Sequence, residues 1–159
     1  MEKLLKKPVK NIMTSKVIAA KENETIKNLF KLMDRNAILG VPVVNAKKQV
    51  IGIITESDLI RHFTTLKSPR GIHLLGSIVY LDDINDFNKN LKDHCAETVK
   101  DIMTKNVKMV GPHSTLLDAI NLMAKNDITR LPVVDKNNKL LGIITRSDIV
   151  HQISKLKRI

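Results

Sequence analysis

An internal repeat constrains this chain more than any other feature. A shift of 90 residues superposes GIITESDL (Gly52 to Leu59) on GIITRSDI (Gly142 to Ile149), and VKNIMTSKV (Val9 to Val17) on VKDIMTKNV (Val99 to Val107). The same shift places VPVV (Val41 to Val44) on LPVV (Leu131 to Val134). No gap is needed from Val9 to Phe63, and roughly 20 of about 55 aligned pairs are identical. Self-similarity of this kind predicts two copies of one supersecondary unit, packed as a pseudo-twofold pair.

Periodicity gives the order of elements in each copy. Val17 to Ala20, like Val107 to Val110, reads as a short apolar strand. A helix is expected from Thr25 to Asn36, because Ile26, Leu29, Phe30 and Met33 recur at helical spacing, matched by Leu116, Ala119, Ile120 and Met123. Val41 to Val44 and Val50 to Thr55 follow as a hairpin around Asn45-Ala46-Lys47-Lys48, with Asp135 to Asn138 as the counterpart. Pro42 and Pro132 predict an edge position or a strand start, since proline donates nothing to a ladder. A second helix follows Ser57 and Ser147. The expected class is α+β, with two β-α-β-β-α repeats over residues 1–66 and 98–159 and a connector insert over 67–97.

The connector has no repeat partner. Ser68-Pro69-Arg70-Gly71 breaks the preceding helix, Leu74 to Leu81 is apolar, and Asp82 to Cys95 reads as a helix with Ile84, Phe87 and Leu91 on one face. The insert is expected to pack on the pair or to serve dimer contacts. Asp82, Asp83, Asn85 and Asp86 lack the register and glycine of a calcium loop and read as a capped helix start.

Composition narrows the function classes. No apolar run approaches the length of a membrane span, the N-terminal MEKLLKKPVK lacks the apolar stretch of a signal peptide, and Cys95 is the only cysteine. A cytoplasmic protein without membrane insertion is the expectation. The net charge of +11 attracts anions, yet the positive residues are scattered and aromatic residues are only 3%, which argues against base-stacking nucleic-acid platforms.

Chemistry concentrates at the repeated phrase. Thr55 with Asp58, and Thr145 with Asp148, deliver a hydroxyl and a carboxylate to a helix N-terminus, where free backbone N–H groups favour phosphate. The same Thr-x-x-Asp letters also spell a helix capping box, and both readings stand here. Thr14 and Thr104 are open between a binding role and a turn cap, and Arg130 between a phosphate fork and a surface charge. Met13, Met33, Met103 and Met123 read as core. His62, His73, His94, His113 and His151 show no metal-ligand spacing, and no metal is expected. No phosphate loop, dinucleotide fingerprint or nucleophile elbow is present, and Cys95 beside His94 is weak ground for a nucleophile, so no catalysis is expected.

IMT near a repeat's start, PVV before a hairpin and then GIITxSD, each twice, resemble the CBS domain, and the tandem resembles a CBS pair or Bateman module. The resemblance implies a regulatory module that binds adenine-containing ligands in clefts between the copies and forms homodimers. It implies one cleft joining Thr55 and Asp58 to Thr104, Val107, Thr129, Arg130, Leu131 and Pro132. The other would join Thr145 and Asp148 to Thr14, Val17, Ile18, Leu39, Gly40, Val41 and Pro42. Each carboxylate would take ribose hydroxyls, valine and isoleucine would cover the base, and Arg130 would take phosphate. Because copy one has Gly40 where copy two has Arg130, the Asp58 cleft is expected to be the better phosphate site. The implied ligand is AMP, ADP, ATP or a relative such as cyclic di-AMP, S-adenosylmethionine or NAD, and the implied partner is a separate effector protein. A structural dimerisation module with unoccupied clefts, and a basic nucleic-acid binder, are the alternatives.

Overall fold

A computed structural model describes residues 2–64, 66, 71–74, 77–80 and 82–155. The chain opens with α1 (Glu2–Leu5), which the sequence pattern did not reveal, and a 3-10 turn (Val9–Asn11). The first repeat continues through β1 (Ala20–Lys21), α2 (Ile26–Arg35), β2 (Gly40–Val44), β3 (Val50–Thr55) and α3 (Glu56–Phe63). The connector contributes the hairpin β4 (Gly71–Leu74) and β5 (Ser77–Tyr80), then α4 (Ile84–Ala96), which packs against α2. The second repeat contains α5 (Val99–Ile102), α6 (Leu116–Asn126), β6 (Arg130–Val134), β7 (Leu140–Thr145) and α7 (Arg146–Ser154). This is an α+β fold with two copies of one unit. Ser68, Pro69 and Arg70, where a helix break is expected, lie outside the described residues.

Local chemistry sets the element boundaries. Thr25 and Thr115 cap α2 and α6 through their side chains, and Asp83 caps α4 by accepting from Asn85 N–H at 2.8 Å, as the acidic cluster predicts. Asn45 closes the first hairpin loop by accepting from Lys47 and Gln49 N–H, both at 3.0 Å, and Asp135 does the same for Asn137 and Lys139.

Two expectations need correction. The opening strand is only Ala20–Lys21 in the first copy and a single bridge from Val110 to Val133 in the second. Val17 and Ile18 are instead left beside a cavity. Pro42 does not sit at an edge, because β2 is the central strand of the order β1-β2-β3. The second copy shows why proline is tolerated there. Val110 donates to the Pro132 carbonyl (3.1 Å) and accepts from Val134 N–H (3.0 Å), so the proline nitrogen points toward the chain before Val110, where pairing has ended.

The repeats interlock at their opening segments. Val9 N–H donates to the Ser114 carbonyl (2.8 Å) and Leu116 N–H to Lys7 (2.9 Å), while Val99 N–H donates to Glu24 (2.8 Å) and Ile26 N–H to Glu97 (2.9 Å). These are the same two bonds displaced by one repeat length. Accordingly Val9 and Ile12 belong to the core built from Leu116, Ala119, Leu131 and Ile144, and Val99 to the core built from Ile26, Leu29, Val41 and Ile54. Each repeat's core is thus completed by the other's opening residues, with full burial of a valine worth about 1.5–3 kcal/mol.

The same exchange explains why the repeated phrase begins with glycine. Thr14 and Ile143 exchange both backbone hydrogen bonds (2.9 and 3.0 Å), as do Thr104 and Ile53 (2.9 and 3.0 Å). This clamps each IMT segment across the other copy's GIIT strand. The Met13 thioether lies where a Cβ on Gly142 would go, and the Met103 thioether occupies that place at Gly52. Only a residue without a side chain admits this approach. Gly142→Ala is expected to lower the free energy of unfolding by about 1–3 kcal/mol in denaturant titrations. Most of that loss should vanish when the same change is made in a Met13→Ala background. An alanine variant as stable as its parent in both backgrounds would contradict the packing described.

Candidate functional site

Both copies of Thr-x-x-Asp are helix caps. Thr55 N–H and hydroxyl donate to Asp58 Oδ2 (2.8 Å each), and Thr145 N–H and hydroxyl to Asp148 Oδ2 (2.8 and 2.7 Å). The chain uses the same device at Thr98/Asp101 and Thr115/Asp118. There, Thr98's hydroxyl and N–H hold the Asp101 carboxyl below its usual range, and Thr115's N–H and hydroxyl do the same for Asp118. Those two caps are complete at neutral pH and lost as pH falls through the lowered values.

What separates Asp58 and Asp148 from the other two is position, because each stands on the wall of a cavity between the repeats. The cavity at Asp58 has a volume of about 300 Å³ and is bordered by Thr55, Thr104, Val107, Thr129 and Arg130, together with Arg61, Asn106, Lys108 and Asp127. The cavity at Asp148 is larger, about 520 Å³, and joins Thr145 to Thr14, Val17, Ile18, Leu39 and Gly40, together with Lys16, Ile143, Arg146 and Ser147. Leu131, Pro132, Val41 and Pro42 border neither cavity. All four are buried in β6 and β2, with Leu131 and Val41 on the faces turned to the two cores.

The two carboxylates differ in what remains available. Asp58 is the one buried charged residue among those described, and its Oδ1 accepts from Thr104 Oγ1 at 3.2 Å with Arg61 at 3.9 Å. No described side chain donates to Oδ1 of Asp148. One cleft has therefore used its second carboxylate oxygen to hold the repeats together, and the other leaves that oxygen of its wall residue without a described donor.

Arg130 overturns the reason given for favouring the Asp58 cleft. Its guanidinium lies over Gly40, in the space a side chain there would fill, and borders both cavities. It reaches Glu56 Oε2 at 3.5 Å with its own side chain only 11% exposed, and neither Arg130 Nη1 nor Glu56 Oε2 makes a well-formed hydrogen bond. Gly40 is thus the seat of Arg130 and does not deprive the Asp148 cleft of it. The Asp148 cleft carries three cations, Lys16, Arg130 and Arg146, against Glu56 and Asp148. The Asp58 cleft balances Arg61, Lys108 and Arg130 against Glu56, Asp58 and Asp127. Among the described residues the Arg146 side chain is engaged only with the exposed Asp127 at 3.3 Å, a contact of little energy that an incoming anion can replace.

Glu56 and Arg146 are matched residues that the sequence reading passed over. They fill the variable position of GIITxSD, and their opposite charges were the available signal. A third depression of about 780 Å³ lies between α2 and α3, walled by Phe30, Met33, Leu39, Leu59, Ile60 and Phe63.

Two interlocked α+β repeats with paired clefts between them define a tandem-repeat module whose ligand-sized cavities lie at the repeat junction. The chain belongs to the CBS domain family, and residues 9–65 and 99–155 each match the CBS domain. A relative in Methanocaldococcus jannaschii, protein MJ1426, is 33% identical over 152 residues, covering 91% of this chain and 90% of its own. The structure resembles the CBS domain pair of protein MJ0100, solved in complex with 5'-methylthioadenosine and S-adenosyl-L-methionine. The TM-score is 0.72 at 23% identity, over 95% of this chain and 98% of that one. It also resembles CBSX2 in complex with AMP, with TM-score 0.72 at 24% identity over 95% of this chain and 98% of the solved one. The chain spans 59% of the length of the full chloroplastic CBSX2 of Arabidopsis thaliana. No helix among the described residues is long and apolar enough to cross a membrane.

Proposed function

We propose that this protein is a non-catalytic sensor of adenine nucleotides, and that the Asp148 cleft is its principal binding site. The observation that carries the reading is the open Oδ1 of Asp148 in a cavity of about 520 Å³ with apolar and cationic sides. A carboxylate oxygen in that position accepts from ribose hydroxyls. Val17, Ile18 and Ile143 offer an apolar seat for a flat base, and Lys16, Arg130 and Arg146 meet the phosphate beside the α7 N-terminus. AMP and methylthioadenosine in the related domain pairs share the adenosine group that such a site selects. Asp58 and Thr104 then act chiefly as the inter-repeat tie, with their smaller cleft as a weaker second site.

Occupancy of the Asp148 cleft changes the balance of forces between the repeats only if the ligand binds their two arrangements unequally. Arg130 supplies the means. A phosphate drawing Arg130 away from Glu56 alters the central ion pair that both clefts share. The signal then passes to an effector protein in the cytoplasm.

The active unit is a homodimer. Ile60 and Val150 occupy equivalent positions in the two repeats and are both 65% exposed, with Phe30, Leu39 and Leu117 exposed as well. Apolar residues so placed on α2, α3, α6 and α7, and just before β2, favour burial against a second copy.

Calorimetric titration with AMP and adenosine tests the binding site. Asp148→Ala should weaken AMP by about 2 kcal/mol, roughly 30-fold, whereas Asp58→Ala, which removes the equivalent cap, should leave the principal affinity within about threefold. Arg146→Ala should weaken AMP while leaving adenosine unchanged. Equal loss from both aspartate variants would show that the effect comes from removing caps. Sedimentation velocity tests the dimer: Ile60→Asp with Val150→Asp should convert a dimer to a folded monomer, and a monomeric parent would sink this part of the proposal.

A further inference from the structure

His62 and His94, 32 residues apart in sequence, meet beside the connector. His62 lies in the last turn of α3 and His94 in the last turn of α4, with imidazole centroids 4.8 Å apart. Glu97, the C-cap of α4, stands three residues beyond His94, and its Oε2 is 4.0 Å from His62 Nε2. One ligating atom from each of the three residues falls within 4.8 Å of the other two. The His62 side chain is only 9% exposed, and the Phe63 ring packs edge-on against it at 5.1 Å, so the cluster has an apolar wall on one side and an exposed carboxylate on the other.

We propose that His62, His94 and Glu97 bind one divalent transition-metal ion, with Zn2+ the best fit. Two imidazoles and a carboxylate suit zinc, whereas calcium and magnesium prefer all-oxygen sets. The protonation pattern is suited to the role. His94 Nδ1 lies 3.0 Å from the Asn90 carbonyl, one turn back on α4, and in the tautomer that donates from Nδ1–H the lone pair that a metal takes is on Nε2. A backbone carbonyl that accepts from the other ring nitrogen and so orients a metal-binding histidine is the usual arrangement. His62 must present Nε2, which now lies 3.3 Å from the His94 carbonyl and faces Glu97, so binding exchanges that contact for the metal. Zinc ligands at about 2.0–2.1 Å stand about 3.3 Å apart in a tetrahedron. Rotation of the exposed Glu97 side chain and a modest shift of the rings bring the three atoms to that spacing. Water completes the fourth position.

Three consequences follow from the location. The ion joins α3, the helix capped by Thr55 and Asp58, to the connector helix, which lies outside both repeats. None of its three ligands borders either cleft, and its presence does not depend on nucleotide. Its ligands come from two helices that are separate in the chain, which is why sequence spacing gave no sign of it.

Zinc titration of the untagged full-length chain, stripped of metal by chelator and dialysis, tests the site. The parent should bind one equivalent of Zn2+, raise its melting temperature, and give the visible absorption of low-coordinate Co2+ when that ion is substituted. His94→Ala and Glu97→Gln should each weaken Zn2+ at least tenfold with unchanged circular dichroism, and His151→Ala, a surface control on α7, should not. The His62 side chain is nearly buried and its replacement risks the fold, so His94 and Glu97, which are more accessible, decide the matter. Parent affinity no greater than that of His94→Ala, or equal loss from His151→Ala, would overturn the proposal.

Discussion

The methionine of each IMT segment seated on the glycine of the other repeat's GIIT strand is the contact on which the rest of the architecture depends. Met13 against Gly142 and Met103 against Gly52 bring the two backbones close enough to exchange hydrogen bonds through Thr14 and Ile143, and through Thr104 and Ile53. With those segments held, Val9 and Val99 reach the opposite cores. Neither repeat closes its own core, so the pair forms as a unit, and its clefts are a by-product of how the crossing segments leave the sheets. Val17 and Ile18 emerge from one crossing beside Asp148, and Val107 emerges from the other beside Asp58.

Near-symmetry of the backbone then makes the side-chain differences informative. Position by position the two copies share caps, turns and even left-handed residues, with Ala37 and Asp127, and Lys48 and Asn138, all at φ between 49° and 61°. They differ where the clefts meet. Gly40 faces Arg130, and Glu56 is matched by Arg146. These substitutions place one ion pair at the centre and an extra cation at the Asp148 side. They leave the Asp58 side electrically balanced and tied by Thr104. A duplicated fold has in this way acquired one cleft suited to holding the repeats together and one suited to an anionic guest.

Much of this was legible from the repeat alone. The order of helices and strands follows from local periodicity and a constant offset, and the capped start of α4 from its acidic cluster, whereas the grouping of Thr14, Val17 and Ile18 with Asp148 is what the resemblance to the CBS domain implies. What escaped was non-local. Proline at Pro42 looked like an edge signal because a sequence does not reveal that the neighbouring strand stops short of it. Arg130 was assigned to one cleft because its reach across the pseudo-twofold axis depends on the empty space above Gly40. The capping and binding readings of Thr-x-x-Asp could not be separated by pattern, and the structure shows why. The residues do cap their helices; a place on a cleft wall separates Asp58 and Asp148 from the other two caps, and the second carboxylate oxygen, held by Thr104 at Asp58, separates Asp148 from Asp58.

The most direct test of the central claim is a crystal structure of the protein grown with AMP. The account predicts adenosine between the repeats at the Asp148 cleft, with ribose hydroxyls in hydrogen-bond reach of Asp148 and the phosphate turned toward Arg146 and Arg130. AMP confined to the Asp58 cleft, or absent from both clefts at saturating concentration, would contradict it.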